Sequence, residues 1–189
     1  RVVQYINQFF AQVGGEDKAD YPMEYHEGPM GPGLAFQQAF GDEAEIIGTI
    51  VCGDSYFGEN TDKVKPEILK KVAELKPDLF IAGPAFNAGR YGFACATIAA
   101  AVQEELHIPV ITGMYVENPG ADEAKSKIYI VSTKNSAAGM RDAVKKMAPL
   151  GLKLARGEKI GSSKEEGYIP QGIRVNFFSD KRGSERAVE

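Results

Sequence analysis

The sequence has few of the residues that bind metals or form disulfides. Among 189 residues it contains two cysteines, Cys52 and Cys95, and two histidines, His26 and His107. Two thiols this far apart do not make the disulfide framework of a small secreted domain, so we expect a reduced, cytoplasmic protein. Neither histidine has a second ligand at a spacing that suits one metal ion, and we predict no metal site. His26 lies among acidic residues, which leaves a metal or pH-sensitive role open.

Long runs of one chemical character are also missing. No apolar stretch approaches the ~18 residues of a membrane-spanning helix, and the N-terminus has no signal-peptide pattern. The net charge is −4 and no basic cluster occurs, which argues against nucleic acid as a partner. The first predicted strand is not followed by G-x-G-x-x-G, and no Walker A pattern occurs. A small molecule or a protein partner is therefore a better candidate ligand than a nucleotide.

The sequence does contain a regular alternation of strand and helix patterns. Short, mostly apolar runs predict strands near residues 1–6, 45–52, 79–82, 109–114 and 128–132. Apolar residues at helical spacing predict helices near 34–40, 61–75, 91–106 and 136–155, with loops at 14–33, 53–60 and 83–90. This alternation predicts an α/β fold: a doubly wound, mostly parallel sheet of about five strands in a flavodoxin-like or Rossmann-like arrangement. We assign 1–157 to this domain and 158–189 to an extended tail or a linker toward a C-terminal domain.

Polar residues collect after the predicted strands, where ligands bind in open α/β sheets. Asn7 and Gln8 follow the first strand. The candidate substrate- or partner-binding residues follow the later strands: Asp54, Ser55, Tyr56, Asn60, Phe86, Asn87, Gly89, Arg90, Tyr91, Tyr115, Glu117, Asn118, Asn135 and Ser136. The loops at the opposite edge resemble ordinary solvated turns, so we predict that the site lies at the carboxyl edge.

Two segments at this edge allow more than one interpretation. Arg90 follows a glycine-rich stretch and opens a helix, so it could clamp a carboxylate, although it could also be a surface arginine beside a tight turn. Cys52 could be a nucleophile at the end of a strand, but a buried structural thiol is the favoured interpretation. Asp54 is a better candidate for polar recognition or helix capping, and Asp54 with Glu117 could form an acid–base pair. No catalytic residue is assigned on these patterns.

Several long strings resemble the N-terminal part of the component B selenoprotein subunits of glycine, sarcosine and betaine reductases. The resemblance extends over nearly the whole chain. The strings that carry it are Val2–Phe10, Gly14–Glu16, Gly28–Gly33, Cys52–Phe57, Ala82–Gly92, Asn135–Arg141 and Glu166–Pro170.

This resemblance implies an oxidoreductase subunit of amino-acid fermentation in anaerobic bacteria. Members of the family reductively cleave the C–N bond of glycine or an N-methylated glycine, in a pathway that ends in acetyl phosphate. A pyruvoyl group on a partner subunit and selenoprotein A take part, and we expect both as partners in an oligomeric assembly. The selenocysteine of the family lies beyond the position that matches Glu189. We therefore expect no catalytic residue or cofactor in this chain, and an inactive chain on its own.

Two alternatives stay open. The carboxyl edge could belong to a non-catalytic module that binds the pyruvoyl-bearing subunit. The chain could instead be an unrelated flavodoxin-like protein that binds a small molecule, in which case a yellow colour or a nucleotide should survive purification.

Overall fold

The computed structural model describes residues 1–171, which form a six-stranded sheet with helices on both faces. The strands are β1 (Val2–Ile6), β2 (Glu24–Glu27), β3 (Ile46–Val51), β4 (Leu79–Phe86), β5 (Val110–Met114) and β6 (Tyr129–Ser132). The helices are α1 (Pro32–Phe40), α2 (Asp54–Glu59), α3 (Thr61–Leu75), α4 (Gly89–Leu106), α5 (Pro119–Ala124), α6 (Met140–Arg156) and α7 (Ser163–Glu166). Two short 3₁₀ helices span Glu16–Lys18 and Ala137–Gly139.

The strand order confirms the predicted doubly wound arrangement. Across the sheet the strands lie in the order β2-β3-β1-β4-β5-β6, and only β2 is antiparallel to its neighbour. The five parallel strands, counted along the chain, therefore have the flavodoxin-like order 2-1-3-4-5. The direction of winding reverses between β1 and β4, and a ligand crevice is expected beyond the carboxyl ends of these two strands.

Each face of the sheet has its own apolar core. Side chains of α2, α3, α4 and α5 pack on one face, around Tyr5, Phe57 and Ile98. Side chains of α1 and α6 pack on the other face, around Phe36, Ile81 and Met147. Because both faces are covered, the parallel strands read as nearly continuous apolar runs in the sequence.

Three sequence expectations about local structure were wrong. The predicted loop 14–33 contains β2, whose polar residues carry no apolar alternation and which gains its backbone hydrogen bonds only by pairing with β3. The predicted loop 53–60 contains α2, a short helix of 6 residues, and Phe57 of that helix is fully buried. The predicted loop 83–90 is divided between the end of β4 and the start of α4, so Arg90 lies in a helical turn.

Part of the predicted C-terminal tail packs against the sheet edge. Residues 163–166 form α7, which Ser162 and Glu165 cap reciprocally. The chain then runs antiparallel to β6: the Ile169 N–H donates to the Ile130 carbonyl at 2.7 Å, and the Ser132 N–H donates to the Gly167 carbonyl at 2.9 Å. The remainder of the predicted tail, residues 172–189, lies outside the described residues. Within residues 1–171, no helix combines the length and the apolar character needed to cross a membrane.

Candidate functional site

A cleft of about 300 Å³ opens at the carboxyl edge of the sheet, at the point where the winding reverses. We call it the strand-end cleft. Five parts of the chain line it: the segment after β1, the 3₁₀ helix near Glu16, the start of α2, the junction of β4 with α4, and the segment after β6. Its lining residues are Asn7, Gln8, Phe9, Phe10, Gly15, Glu16, Asp54, Ala85, Phe86, Asn87, Ala88, Tyr91, Asn135, Ser136 and Ala137.

The structure brings together some of the predicted site residues and separates others. Six of the fourteen line the strand-end cleft: Asp54, Phe86, Asn87, Tyr91, Asn135 and Ser136. Ser55, Gly89 and Arg90 lie directly beside lining residues in sequence, at the starts of α2 and α4. The remaining five, which the cleft lining does not include, are Tyr56, Asn60, Tyr115, Glu117 and Asn118.

Asp54 is the buried acid of the cleft. Its residue surface is only 8% exposed. Asn7 Nδ2 donates to Asp54 Oδ2 at 3.0 Å, and the Asp54 backbone N–H donates to Gln8 Oε1 at 3.1 Å. The second carboxylate oxygen, Oδ1, is buried and has no hydrogen-bond partner among the described residues. Burial raises the pKa of this carboxyl, while the hydrogen bond from Asn7 and the charge of Arg90 act in the opposite direction.

Arg90 is already paired within the chain. Its Nη2 donates to Glu16 Oε1 and Oε2 at 2.5 and 2.7 Å, and its Nη1 donates to the Ser55 hydroxyl. Both charged side chains are more than half exposed. The guanidinium therefore links the 3₁₀ helix to α2 and α4 beside the cleft. Its paired N–H donors already bind the carboxylate of Glu16.

Asn118 is a structural support for the cleft wall. It is fully buried, and its Nδ2 donates to the Phe86 carbonyl at 2.9 Å and the Ala88 carbonyl at 3.1 Å. Its Oδ1 accepts from the Gly120 N–H at 2.9 Å and so caps α5. Gly92 packs so closely on this amide that a Cβ there would lie 2.4 Å from Asn118 Oδ1. The side chain thus fixes the path of the chain from β4 into α4.

The other residues outside the cleft have local roles or face solvent. Asn60 Nδ2 donates to the Tyr56 carbonyl at 3.0 Å, which joins the end of α2 to the start of α3. Tyr115 is half-buried and Glu117 is exposed after β5. Because the lining of the strand-end cleft includes Asp54 but not Glu117, the cleft gives no support to an acid–base pair of these two residues.

An aromatic cluster forms one side of the cleft. Phe10 stands at its centre, with its ring centroid 5.7 Å from that of Tyr91, 6.2 Å from that of Phe86 and 5.2 Å from that of Phe9. Phe86 and Tyr91 are buried, whereas Phe9 is 58% exposed. The cleft therefore combines a carboxylate and amide groups with apolar ring surface, as small-molecule sites usually do.

The side chains of the two cysteines are part of the apolar core. Cys52 and Cys95 are free and buried, with no accessible surface. Burial raises the pKa of Cys52 to about 12 and also raises the pKa of Cys95. At neutral pH both side chains are thiols, so neither is poised for nucleophilic attack.

The described residues contain no cluster of three or more His, Cys, Asp or Glu side chains that could hold a metal ion. His26 lies on β2, where its Nε2 is 2.9 Å from Glu24 Oε1, and Tyr21 donates to the same carboxylate oxygen. The hydrogen bond from Tyr21, followed by the one to His26, lowers the pKa of Glu24. Glu24 and His26 lie on the edge strand β2, and the lining of the strand-end cleft includes neither of them nor Tyr21.

The comparison with known proteins identifies the family. The family model described as glycine/sarcosine/betaine reductase selenoprotein B matches residues 1–189. The chain belongs to this selenoprotein B family. The resemblance inferred from the sequence strings is thereby confirmed, and an unrelated flavodoxin-like protein is excluded.

Curated relatives include all three kinds of reductase subunit. The chain is 57% identical over 189 residues to the sarcosine reductase complex component B subunit beta of Peptoclostridium acidaminophilum. It is 55% identical over 189 residues to the glycine reductase complex component B subunit gamma of Carboxydothermus hydrogenoformans. It is 41% identical over 191 residues to the betaine reductase complex component B subunit beta of Peptoclostridium acidaminophilum. These alignments cover 100% of the chain but only 43% of the first two relatives and 44% of the third, so the chain spans less than half of their length. No solved structure matches the chain.

Proposed function

We propose that this domain works in component B of a glycine, sarcosine or betaine reductase, and that its strand-end cleft receives the small amine-acid substrate. The component would cleave the C–N bond of glycine or an N-methylated glycine reductively, on the way to acetyl phosphate. It would work with a pyruvoyl-bearing subunit and selenoprotein A in an oligomeric, cytoplasmic assembly. Family membership supports the reductase role.

One observation supports the cleft as the substrate site. At the reversal point of the sheet, a cleft of about 300 Å³ is bordered by a buried carboxylate, one oxygen of which has no hydrogen-bond partner within residues 1–171. That volume is at the small end of ligand pockets and leaves ample room for a molecule as small as an amine acid. A buried polar atom without a partner costs free energy, so proteins keep such atoms mainly where a ligand or an ordered water completes them.

The chain itself would not supply the nucleophile. Its two cysteines are buried thiols, and their raised pKa values leave almost no thiolate at neutral pH. In this proposal the domain binds and orients the substrate, and the attacking selenocysteine comes from the part of the subunit that this chain does not include. The isolated chain would therefore bind ligand without turnover.

Filling the cleft tests the proposal. Ala137 is an exposed residue that lines the cleft, and Ala137→Trp would occupy part of its volume. The matched control is Ala73→Trp, at an exposed position on α3. In the assembled reductase we expect Ala137→Trp to lower turnover of the amine-acid substrate at least about tenfold, whereas Ala73→Trp leaves it unchanged.

Assembly is measured on the same samples by pull-down of the pyruvoyl-bearing subunit. Lost turnover with normal assembly supports a substrate site. Lost assembly would instead identify the cleft as a partner-binding surface and contradict the proposal. Equal turnover of the two tryptophan variants would also contradict it.

A further inference from the structure

The carboxylate of Asp54 forms no salt bridge within residues 1–171, and the residue is only 8% exposed. The positive charge of Arg90 favours the ionised form of Asp54 without a direct contact, because the guanidinium is hydrogen-bonded to Glu16. The groups that hold Asp54 in place, Asn7 and Gln8, are neutral. When the partners of a largely buried anion are neutral, the desolvation cost of its charge is poorly compensated unless a cation binds beside it.

Apolar ring surface lies beside this carboxylate. Phe10, Phe86 and Tyr91 are in mutual contact through Phe10, and all three line the strand-end cleft together with Asp54. The faces of aromatic rings carry negative electrostatic potential and attract ammonium groups. A carboxylate and several rings around one cleft form a combination that attracts cations by two independent mechanisms.

We propose that the strand-end cleft recognises the cationic nitrogen of an alkylammonium ligand, with Asp54 supplying the charge and Phe10, Phe86 and Tyr91 supplying the apolar walls. This inference rests on the proposed function and states which end of an amine-acid ligand points into the cleft. Arg90 is left out of ligand recognition because Glu16 and Ser55 already bind it. The carboxylate end of the ligand then points toward the cleft mouth, where Asn87, Asn135 and Ser136 are exposed.

Two kinds of alkylammonium group could satisfy this site. An ammonium that carries N–H groups can donate charge-assisted hydrogen bonds to a carboxylate. A trimethylammonium cannot donate, and its methyl groups keep the nitrogen further from Asp54, so it depends more on the ring faces. Glycine and betaine represent these two cases, and variants of Asp54 and Phe10 separate them.

The test compares glycine with glycolate, in which a neutral hydroxyl replaces the ammonium group. Dissociation constants for both are measured by calorimetry on the full chain and on its Asp54→Asn variant. We expect the unsubstituted chain to prefer glycine, and we expect Asp54→Asn to reduce this preference about tenfold or more. The matched control is Glu59→Gln, which removes a carboxylate from an exposed position on the same helix, α2, and should leave the preference unchanged.

A second variant keeps the test decisive if Asp54→Asn folds poorly. Phe10→Leu removes a ring and retains an apolar side chain, and it should weaken betaine binding about threefold more than glycine binding. Equal weakening of both ligands would contradict the role of the rings. Melting temperatures control for folding: Asp54→Asn should melt no lower than the unsubstituted chain, because it replaces a buried carboxylate that forms no salt bridge within residues 1–171 with a neutral amide of the same shape.

The outcomes separate the inference from the proposed function. If Ala137→Trp abolishes glycine binding but Asp54→Asn leaves the preference for glycine over glycolate intact, the cleft is the site and cation recognition by Asp54 is wrong. If glycine does not bind, or binds equally well to Ala137→Trp, the proposed function itself fails. Loss of the glycine preference in Asp54→Asn, with an unchanged preference in Glu59→Gln, supports the inference.

Discussion

Replacing Asn118 by alanine should test whether the cleft wall is built as described. The substitution leaves the Phe86 carbonyl and the Gly120 N–H without their side-chain partner, and it removes a second bond to the Ala88 carbonyl. A buried polar group that loses its partner costs about 1–3 kcal/mol, and the lost helix cap falls within the same range. The Phe86 and Ala88 carbonyls keep their bonds from the backbone N–H groups of Tyr115 and Gly92, so we expect a total loss of about 1–3 kcal/mol in the free energy of unfolding.

The measurement is urea denaturation followed by circular dichroism, because the sequence has no tryptophan to report unfolding by fluorescence. With a urea slope of about 2–3 kcal/mol per molar, the predicted loss lowers the midpoint by about 1 M. Asn87→Ala is the matched control, since Asn87 is an exposed amide on the same cleft, and it should change stability by less than about 0.5 kcal/mol. An Asn118→Ala variant as stable as Asn87→Ala would refute the structural role of Asn118.

A second variant, Asn118→Asp, adds a pH dependence of known sign. One oxygen of its buried carboxyl would face the carbonyls of Phe86 and Ala88. Burial and these two carbonyls together outweigh the single bond from the Gly120 N–H, so its pKa should be higher in the folded chain than in the unfolded chain. The stability of this variant relative to the unsubstituted chain is then greatest below the unfolded pKa and is lost as the pH rises through the folded pKa. A deficit that stays constant between pH 4 and pH 8 would contradict this reasoning.

Two further predictions concern the thiols and the arginine pair. Cys52, with a pKa of about 12, and Cys95 should resist alkylation by iodoacetamide at pH 8 in the folded chain and react rapidly in denaturant, as mass spectrometry would show; fast labelling of the folded chain would contradict their burial. The exposed pair Arg90–Glu16 should have a coupling energy of at most about 1 kcal/mol in a double-mutant cycle of Arg90→Gln and Glu16→Gln. That coupling should decrease further at high salt, and a larger salt-independent coupling would indicate that the pair is not solvent-screened.

The sheet could be predicted because its parallel strands are buried on both faces. Runs such as Ile46–Val51 are apolar and rich in β-branched residues, and their alternation with amphipathic helices leaves few possible topologies. The strand β2 could not be predicted in the same way. Its sequence Glu24–Glu27 is polar, and it is a strand only because β3 offers it a free edge.

The position of the candidate cleft was predictable, but its contacts were not. Polar residues after the strands indicated the carboxyl edge, and Asp54 lies on the strand-end cleft at that edge. Phe9, Phe10 and Glu16 were not among the candidates, because nothing local shows that the chain after β1 folds back over this edge. Arg90 and its partner Glu16 are 74 residues apart in sequence, so no local pattern predicts that they pair.

Asn118 did carry a local pattern that indicates its role. An asparagine before Pro119 is typical of a helix N-cap followed by proline at the first helical position. Reading that pattern would have assigned Asn118 to α5 and removed it from the ligand-binding candidates. Its two bonds to the β4–α4 junction are tertiary and have no such pattern.

The most direct test of a ligand site at the strand-end cleft is a nuclear magnetic resonance titration of the ¹⁵N-labelled 189-residue chain with glycine, sarcosine and betaine. We expect at least one of them to shift the backbone amide signals of Asp54, Ala88 and Ser136, and we expect Ala137→Trp to abolish these shifts. Amides on the opposite edge, such as that of Asp78, should not move. Shifts confined to residues away from the cleft, or no shifts with any of the three ligands, would contradict the account.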